Sequence, residues 1–391
     1  MLAYLGPKRK YELTLVRDGA PLTVVADKQG ERLGLSLRLV PVLPPETAER
    51  QVAFDVKASD DEIALDRLNV YVNEVPIFGL RGRKLEGKEA LAHVDAPLLP
   101  GRNLVQVSVT NAKGAESLRE SYEVTCKAPP RPSKVVLLAV GVSQYADARM
   151  NLTYAAKDAQ DLAALLTAHG GNVQVVPVLD TAATREGILA AKQQLLATAP
   201  EDEVIVFYAG HGLLDEKLDY FLATTDVDYE HPAAKGLPYE ELEGLVDGVP
   251  ALRRLVLVDA CHSGEVDKDD ATLAAANLSD GPVKSRGLKV VARKHLGVKS
   301  AADLAAELFA DLRRGSGAAV IASASGTEVA FESSEWNNGV FTYALLEGLR
   351  AGKTHVSELR DYTSARVKEL THGQQTPTAR RENLEFDFSV W

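Results

Sequence analysis

Three prolines fall within seven residues, Lys127-Ala128-Pro129-Pro130-Arg131-Pro132-Ser133. Each fixes φ and lacks a backbone donor, so the stretch can neither continue a helix nor lie in a central strand. It reads as a semi-rigid spacer. The 391 residues on either side of it suffice for about two domains. The expected organisation is a first domain at 1–127, a linker at 128–134 and a second domain at 135–391.

The hydrophobic pattern changes across the spacer. Before it, apolar residues alternate: Val52, Phe54 and Val56 in 51–57, then Leu68, Val70 and Val72 in 68–72. In 104–110, Val105, Val107 and Val109 take one side and Gln106, Ser108 and Thr110 the other. A last run covers 121–126. Turn signals separate the runs, among them Asp18-Gly19, Pro44-Pro45 and Pro100-Gly101. Period-two alternation without a long helical period predicts an all-β sandwich of immunoglobulin-like type. Cys126 closes its last strand and, as a lone cysteine, reads as inert.

After the spacer, strands become continuously apolar, as in 135–142, 173–179, 202–208, 254–258 and 318–322. Helical periods cover 152–169, 184–198, 239–246, 339–349 and 356–370. Strand and helix in alternation predict an α/β domain with a mostly parallel sheet flanked by helices, both sheet faces being covered.

Ligands of such sheets bind beyond the carboxyl ends of the strands. Two ends carry unusual residues: Ala209-Gly210-His211-Gly212 and Asp259-Ala260-Cys261-His262-Ser263-Gly264. Glycines beside them permit sharp turns and close backbone approach. One histidine and one cysteine at neighbouring strand ends form a candidate base and nucleophile. His262 adjoins Cys261, but successive residues leaving a strand point to opposite faces, which turns it away.

YAGHG at 208–212 and DACHSG at 259–264, each behind an apolar strand, resemble the His and Cys boxes of caspase-like cysteine peptidases, nearest the bacterial metacaspase-like branch. The likeness covers about 135–385 and includes VGVSQY at 140–145, LTYAAKDAQDL at 152–162 and NGVFTYALLEGL at 338–349. It implies a caspase-like α/β fold, Cys261 as nucleophile and His211 as general base and acid. The backbone N–H groups of Gly212 and Cys261 would form the oxyanion hole. No third, orienting residue is evident from the motifs.

The resemblance also bears on specificity. In metacaspase-like enzymes two acids line S1, and the matching positions here are Asp158 and Asp259, which favour Arg or Lys at P1. Arg149 is a departure that could enter an acid-binding pocket instead. Ser323 and Ser325 follow the fifth strand and are expected to wall the substrate groove, with Phe331 and Trp336 candidates for the S2 side. The basic stretch 284–299 resembles the linker that caspases cut on activation, which makes it a candidate self-cleavage segment.

Residues 1–130 hold 18 basic and 18 acidic side chains, so the whole net charge of −11 falls on 131–391. That excess argues against nucleic acid or an anionic membrane and accommodates cationic substrates. No apolar run reaches the ~20 residues of a membrane span, and the N-terminal basic cluster follows its short apolar piece, the reverse of a secretory signal. A cytoplasmic location is expected. Many metacaspases need calcium, but neither Asp226, Asp228 and Glu230 nor Asp267, Asp269 and Asp270 has EF-hand spacing. No cofactor or metal is expected, with calcium kept as an alternative. The predicted partners are polypeptides with Arg or Lys at P1, and the sandwich is a candidate surface for a protein partner. The rival readings are a catalytically silent scaffold, a caspase-like peptidase with another P1 preference, and a hydrolase or acyltransferase acting on a non-peptide substrate.

Overall fold

A computed structural model describes residues 9–17, 20–28, 36–40, 43–169, 171–215, 219–260, 283–285, 315–323, 331–380 and 387–390. The chain divides into two compact units, residues 1–71 with 81–128, and residues 72–80 with 129–391.

The first unit is strand-rich and consistent with a β-sandwich. Ser36–Val40, Gln51–Ser59 and Glu89–Pro97 form one antiparallel sheet. Glu120–Cys126, Gly101–Asn111 and Leu65–Val72 lie side by side in another. Alternation sets the faces: Val52, Phe54, Val56 and Ala58 are buried, as are Val105, Val107 and Val109. Ser108 and Thr110, on the other side of their strand, are buried as well. The Asn69 amide donates to both hydroxyls, at 3.3 and 3.1 Å. Arg9–Arg17 and Ala20–Lys28 pair antiparallel, Arg17 opposite Ala20. Cys126 is buried, its thiol donating to the Glu49 carbonyl.

The second unit is built on a six-stranded sheet. Its strands are β1 (Val135–Gly141), β2 (Val173–Leu179), β3 (Glu203–Gly210), β4 (Arg253–Ala260), β5 (Ala319–Ala322) and β6 (Thr378–Arg380). They lie in the order β2-β1-β3-β4-β5-β6, all parallel except β6, which runs antiparallel to β5. Among the described residues the helices are α1 (Ala155–Ala168), α2 (Arg185–Ala190), α3 (Lys192–Leu196), α4 (Tyr239–Gly244), α5 (Val340–Arg350) and α6 (Val356–Leu370).

The apolar strand runs resolve into two cores. Val136, Leu138 and Val140 pack with Val204, Val206, Tyr208, Val256 and Val258 against Ile188, Leu195 and Leu242. Leu137, Ile205, Phe207, Leu255 and Leu257 face the other way, onto Leu162, Leu166, Phe341, Leu345 and Leu359. Burial on both sides is why these strands show no polar alternation.

Two helices depart most from the expected bounds, while α4 ends two residues early and α5 is shifted by one. The N-terminus of α1 is moved to Ala155 by tertiary bonds. Leu152 N–H goes to the Ser143 carbonyl, and Ala156 N–H goes to Ser143 Oγ, which does the work of a local cap. The helix expected at 184–198 begins as anticipated, with Thr184 Oγ1 accepting from Gly187 N–H, but a turn at Ala191 divides it into α2 and α3.

Glu203 opens β3 with a buried carboxyl group whose Oε1 has no partner among the described residues. Burial raises its pKa to about 8, against a smaller lowering by Arg253. Between its ordinary value of 4.5 and about 8 the folded chain holds a proton that the unfolded chain releases. The stabilising protonated form is therefore intact below the unfolded value and lost as pH climbs through the folded one. Glu203→Gln is expected to melt close to wild type at pH 4.5 and several degrees higher at pH 9. Thermal melts across that range check this, and a pH-independent difference would contradict it.

Candidate active site

Parallel pairing brings the two unusual strand ends together. Gly210, the last residue of β3, lies opposite Ala260, the last of β4. His211 and Cys261 are the next residues of their strands. Cys261 itself lies outside the described residues, as do Ser325 and all of 284–299 beyond 285.

His211 is 5% exposed and held by backbone and ring together. Its N–H donates to the Tyr145 hydroxyl at 3.0 Å. Its carbonyl accepts from Tyr208 Oη at 3.0 Å and from Ala223 N–H at 2.9 Å. The imidazole lies 5.0 Å from the Tyr145 ring and edge-on to Tyr229 at 6.2 Å. A Cβ on Gly210 would stand 2.5 Å from Tyr208 Oη and 3.0 Å from Tyr145 Oη, so only glycine admits both hydroxyls here. Burial, then neighbouring tyrosines, holds the Tyr208 hydroxyl well above its ordinary pKa, and it stays protonated.

The group that orients the imidazole is the main-chain carbonyl of Met150, 2.8 Å from Nε2. A carbonyl only accepts, so Nε2 carries the proton and the lone pair is on Nδ1. Met150 sits in a short turn, Ala148–Met150, capped by Asp147. The loop bearing it is pinned by Asp180, whose carboxylate accepts the N–H groups of Ser143 and Gln144 at 2.8 and 3.0 Å. Asp180 does so from a left-handed backbone with φ of 45°, a strained conformation that those two bonds help to hold. Arg149 stays at the surface in a bidentate pair with Asp147.

Gly212 opens a short strand, Gly212–Leu214, paired antiparallel with Tyr220–Leu222. The bond from Ala223 N–H to the His211 carbonyl makes 211 and 223 a hydrogen-bonded pair. Alternation then puts Gly212 in a non-bonded pair and turns its N–H away from that neighbouring strand.

Asp158 and Asp259 are both fully buried and both meet the N-terminal end of α5. Asp158 accepts from the Asn338 amide at 2.9 Å and from Gly339 N–H at 3.1 Å. Asp259 accepts from Thr342 Oγ1 at 2.6 Å. Carboxylates are favoured at that end of a helix. A third acid, Glu332, is buried too and receives Thr153 N–H on both oxygens at 3.3 Å. Its place was not readable from the sequence, because the partner lies 179 residues away.

Ser323 is buried, its hydroxyl donating to the Ala260 carbonyl at 3.0 Å. That side chain ties β5 to the end of β4, where the sequence suggested a groove wall. Gln375 bridges the residues on either side of 324–330, donating to the Ser323 carbonyl and accepting Phe331 N–H. Phe331 is buried and Trp336 stacks on Tyr343 at 5.1 Å. Among the described residues no group of three or more His, Cys, Asp or Glu side chains could hold a metal ion, and no helix is long and apolar enough to cross a membrane.

The model of the caspase domain, Peptidase C14, matches residues 134–389, and the chain belongs to that family. The family is one of cysteine peptidases. Similar solved structures include a protein of Geobacter sulfurreducens, 21% identical over 66% of this chain and 94% of that one, with a TM-score of 0.44. Caspase-1 from Spodoptera frugiperda is 15% identical over 64% and 86%, TM-score 0.39. The fibronectin(III)-like modules of Clostridium thermocellum CbhA are 16% identical over 24% of this chain and 100% of theirs, TM-score 0.19. No curated protein is similar enough to match.

The Met150 carbonyl makes a specific demand on the ring. Long-range 15N–1H correlation of neutral His211 is expected to show the Nε2–H tautomer. A dominant Nδ1–H pattern would contradict the hydrogen bond.

Proposed function

We propose that this chain is an endopeptidase that cleaves after Arg or Lys with a Cys261/His211 dyad. One observation carries the reading: Gly210 and Ala260, the residues before His211 and Cys261, are direct register partners on adjacent parallel strands. Adjacent strands run about 4.8 Å apart, a spacing that suits a thiol and an imidazole leaving neighbouring ends.

In this reading the Cys261 thiol gives its proton to His211 Nδ1, and the thiolate attacks the scissile carbonyl. Negative charge on the tetrahedral oxygen is met by the N–H groups of Gly212 and Cys261. The imidazolium returns its proton to the leaving amine, and water, deprotonated by the same imidazole, then releases the acyl group from sulfur. The Met150 carbonyl keeps the second ring nitrogen protonated throughout.

The preference for a cationic P1 is supported by three buried carboxylates, Asp158, Asp259 and Glu332. A guanidinium or ammonium entering beside them would gain charge-assisted bonds. Ser323 supports the site from beneath, and Ser325 completes the groove wall. Self-processing within 284–299 is supported by the backbone. Val283–Ser285 pairs antiparallel with Phe331–Ser333, whose other neighbour, Asn338–Gly339, binds Asp158.

The test is cleavage of fluorogenic peptides ending in Arg, Lys or Asp, with calcium and with chelator. Arg and Lys peptides are expected to be turned over, and Cys261→Ala or His211→Ala to lower kcat/KM by about 10³-fold or more. Asp259→Asn, which keeps an acceptor for Thr342, is expected to cost about 30-fold or more on Arg peptides. Wild-type chain is expected to nick in 284–299 on a gel where Cys261→Ala stays whole. Turnover of Asp peptides would keep the dyad and overturn the acidic pocket. An inert wild type, also unlabelled by a peptidyl-Arg electrophile, would favour the scaffold.

A further inference from the structure

Tyr145 makes more contacts with His211 than a packing aromatic requires. Its hydroxyl accepts the His211 N–H at 3.0 Å, and its ring lies 5.0 Å from the imidazole at a tilt of 39°. The Tyr208 hydroxyl lies beside the same glycine, Gly210, and shares its proton between the His211 carbonyl at 3.0 Å and the Ala223 carbonyl at 2.8 Å. Both polar groups of the His211 main chain are thus bound by one pair of tyrosines. Tyr145 also reaches the ring's other anchor through its backbone. Its N–H donates to Asn151 Oδ1 at 2.8 Å, and Asn151 directly follows Met150, whose carbonyl holds Nε2. The contacts close a circuit from Tyr145 Oη to His211 N–H, along the imidazole to Met150, and through Asn151 back to Tyr145 N–H. Tyr229 closes the side of the box, edge-on to both rings.

We propose that Tyr145 is the positioning residue of the dyad: it fixes the His211 peptide plane and the bed of its ring, so that Nε2 stays on the Met150 carbonyl and Nδ1 is always the nitrogen that exchanges protons. This rests on the reading of His211 as general base. The hydroxyl separates this role from simple packing. A phenylalanine would fill the same 6%-exposed space, and only the oxygen reaches the main chain. Without it, a buried N–H loses this acceptor where water does not readily replace it. The His211 peptide then shifts to find another, and the ring moves with it. Displacements of about 1 Å in a reacting group cost on the order of 10²-fold in rate.

The experiment compares wild type with Tyr145→Phe by two readouts. Kinetics on the peptide that wild type cleaves best should show kcat lowered about 10- to 100-fold with KM within about twofold, since the substrate pocket is untouched. Long-range 15N–1H correlation, which needs no turnover, should show His211 changing from Nε2–H alone to a mixture of tautomers. Should Tyr145→Phe not fold, Asn151→Ala, which releases the Tyr145 backbone and leaves its ring in place, is expected to move both readouts the same way. A variant with kcat within twofold of wild type and an unchanged tautomer overturns the proposal. If wild type cleaves nothing, the peptidase reading fails on its own, and the tautomer measurement still decides what Tyr145 does.

Discussion

The parallel pairing of β3 with β4, which ends with Gly210 opposite Ala260, is the constraint on which the rest depends. A slip of one residue would separate the strand ends and turn the apolar side chains of one strand to the wrong face. The two cores forbid such a slip. Val204, Val206 and Tyr208 must meet one set of helices while Ile205, Phe207 and Ala209 meet the other. Dense two-sided burial therefore fixes Gly210 opposite Ala260, two residues far apart in sequence.

Rigidity at the site comes from polar groups that this packing brings to the strand ends. Gly210 makes room for two tyrosine hydroxyls, and those hydroxyls hold the His211 main chain. The loop after β1 supplies the carbonyl for the ring, and the Asp180 carboxylate from beyond β2 holds that loop. Three neighbouring strand ends thus converge on one imidazole. The acids show a similar economy. Asp158 and Asp259 satisfy donors at the start of α5, where their charge stabilises the helix end. The proposed pocket would draw on the same carboxylates as the fold, so conservative amide substitutions test it better than alanine does.

Much of the architecture was legible because burial leaves a pattern. Continuous apolar runs located β1, β3 and β4, and the period of 356–370 matched α6 end to end. Elements without a pattern escaped notice. The edge strand β6 is only Thr378-Ala379-Arg380, and Gly212–Leu214 and Tyr220–Leu222 are equally short. The start of α1 could not be read locally, since its cap is a serine twelve residues upstream of the helix. At the site, side chains with distinctive chemistry stood out. The Met150 carbonyl did not, because every residue has one and only the fold says which is aimed at a histidine. Ser323 illustrates the converse. Its place at a strand end was readable, but the direction of its hydroxyl is set by the Ala260 carbonyl beside it.

In the proposed reaction a His211-activated Cys261 takes up an acyl group from peptides with a cationic P1. Intact mass and peptide mapping after treatment with a peptidyl-Arg electrophile test it most directly. A single adduct on Cys261 is expected, formed much more slowly in His211→Ala and with the matching Asp-ended reagent. An adduct on Cys126, or equal labelling by the Asp-ended reagent, would contradict it.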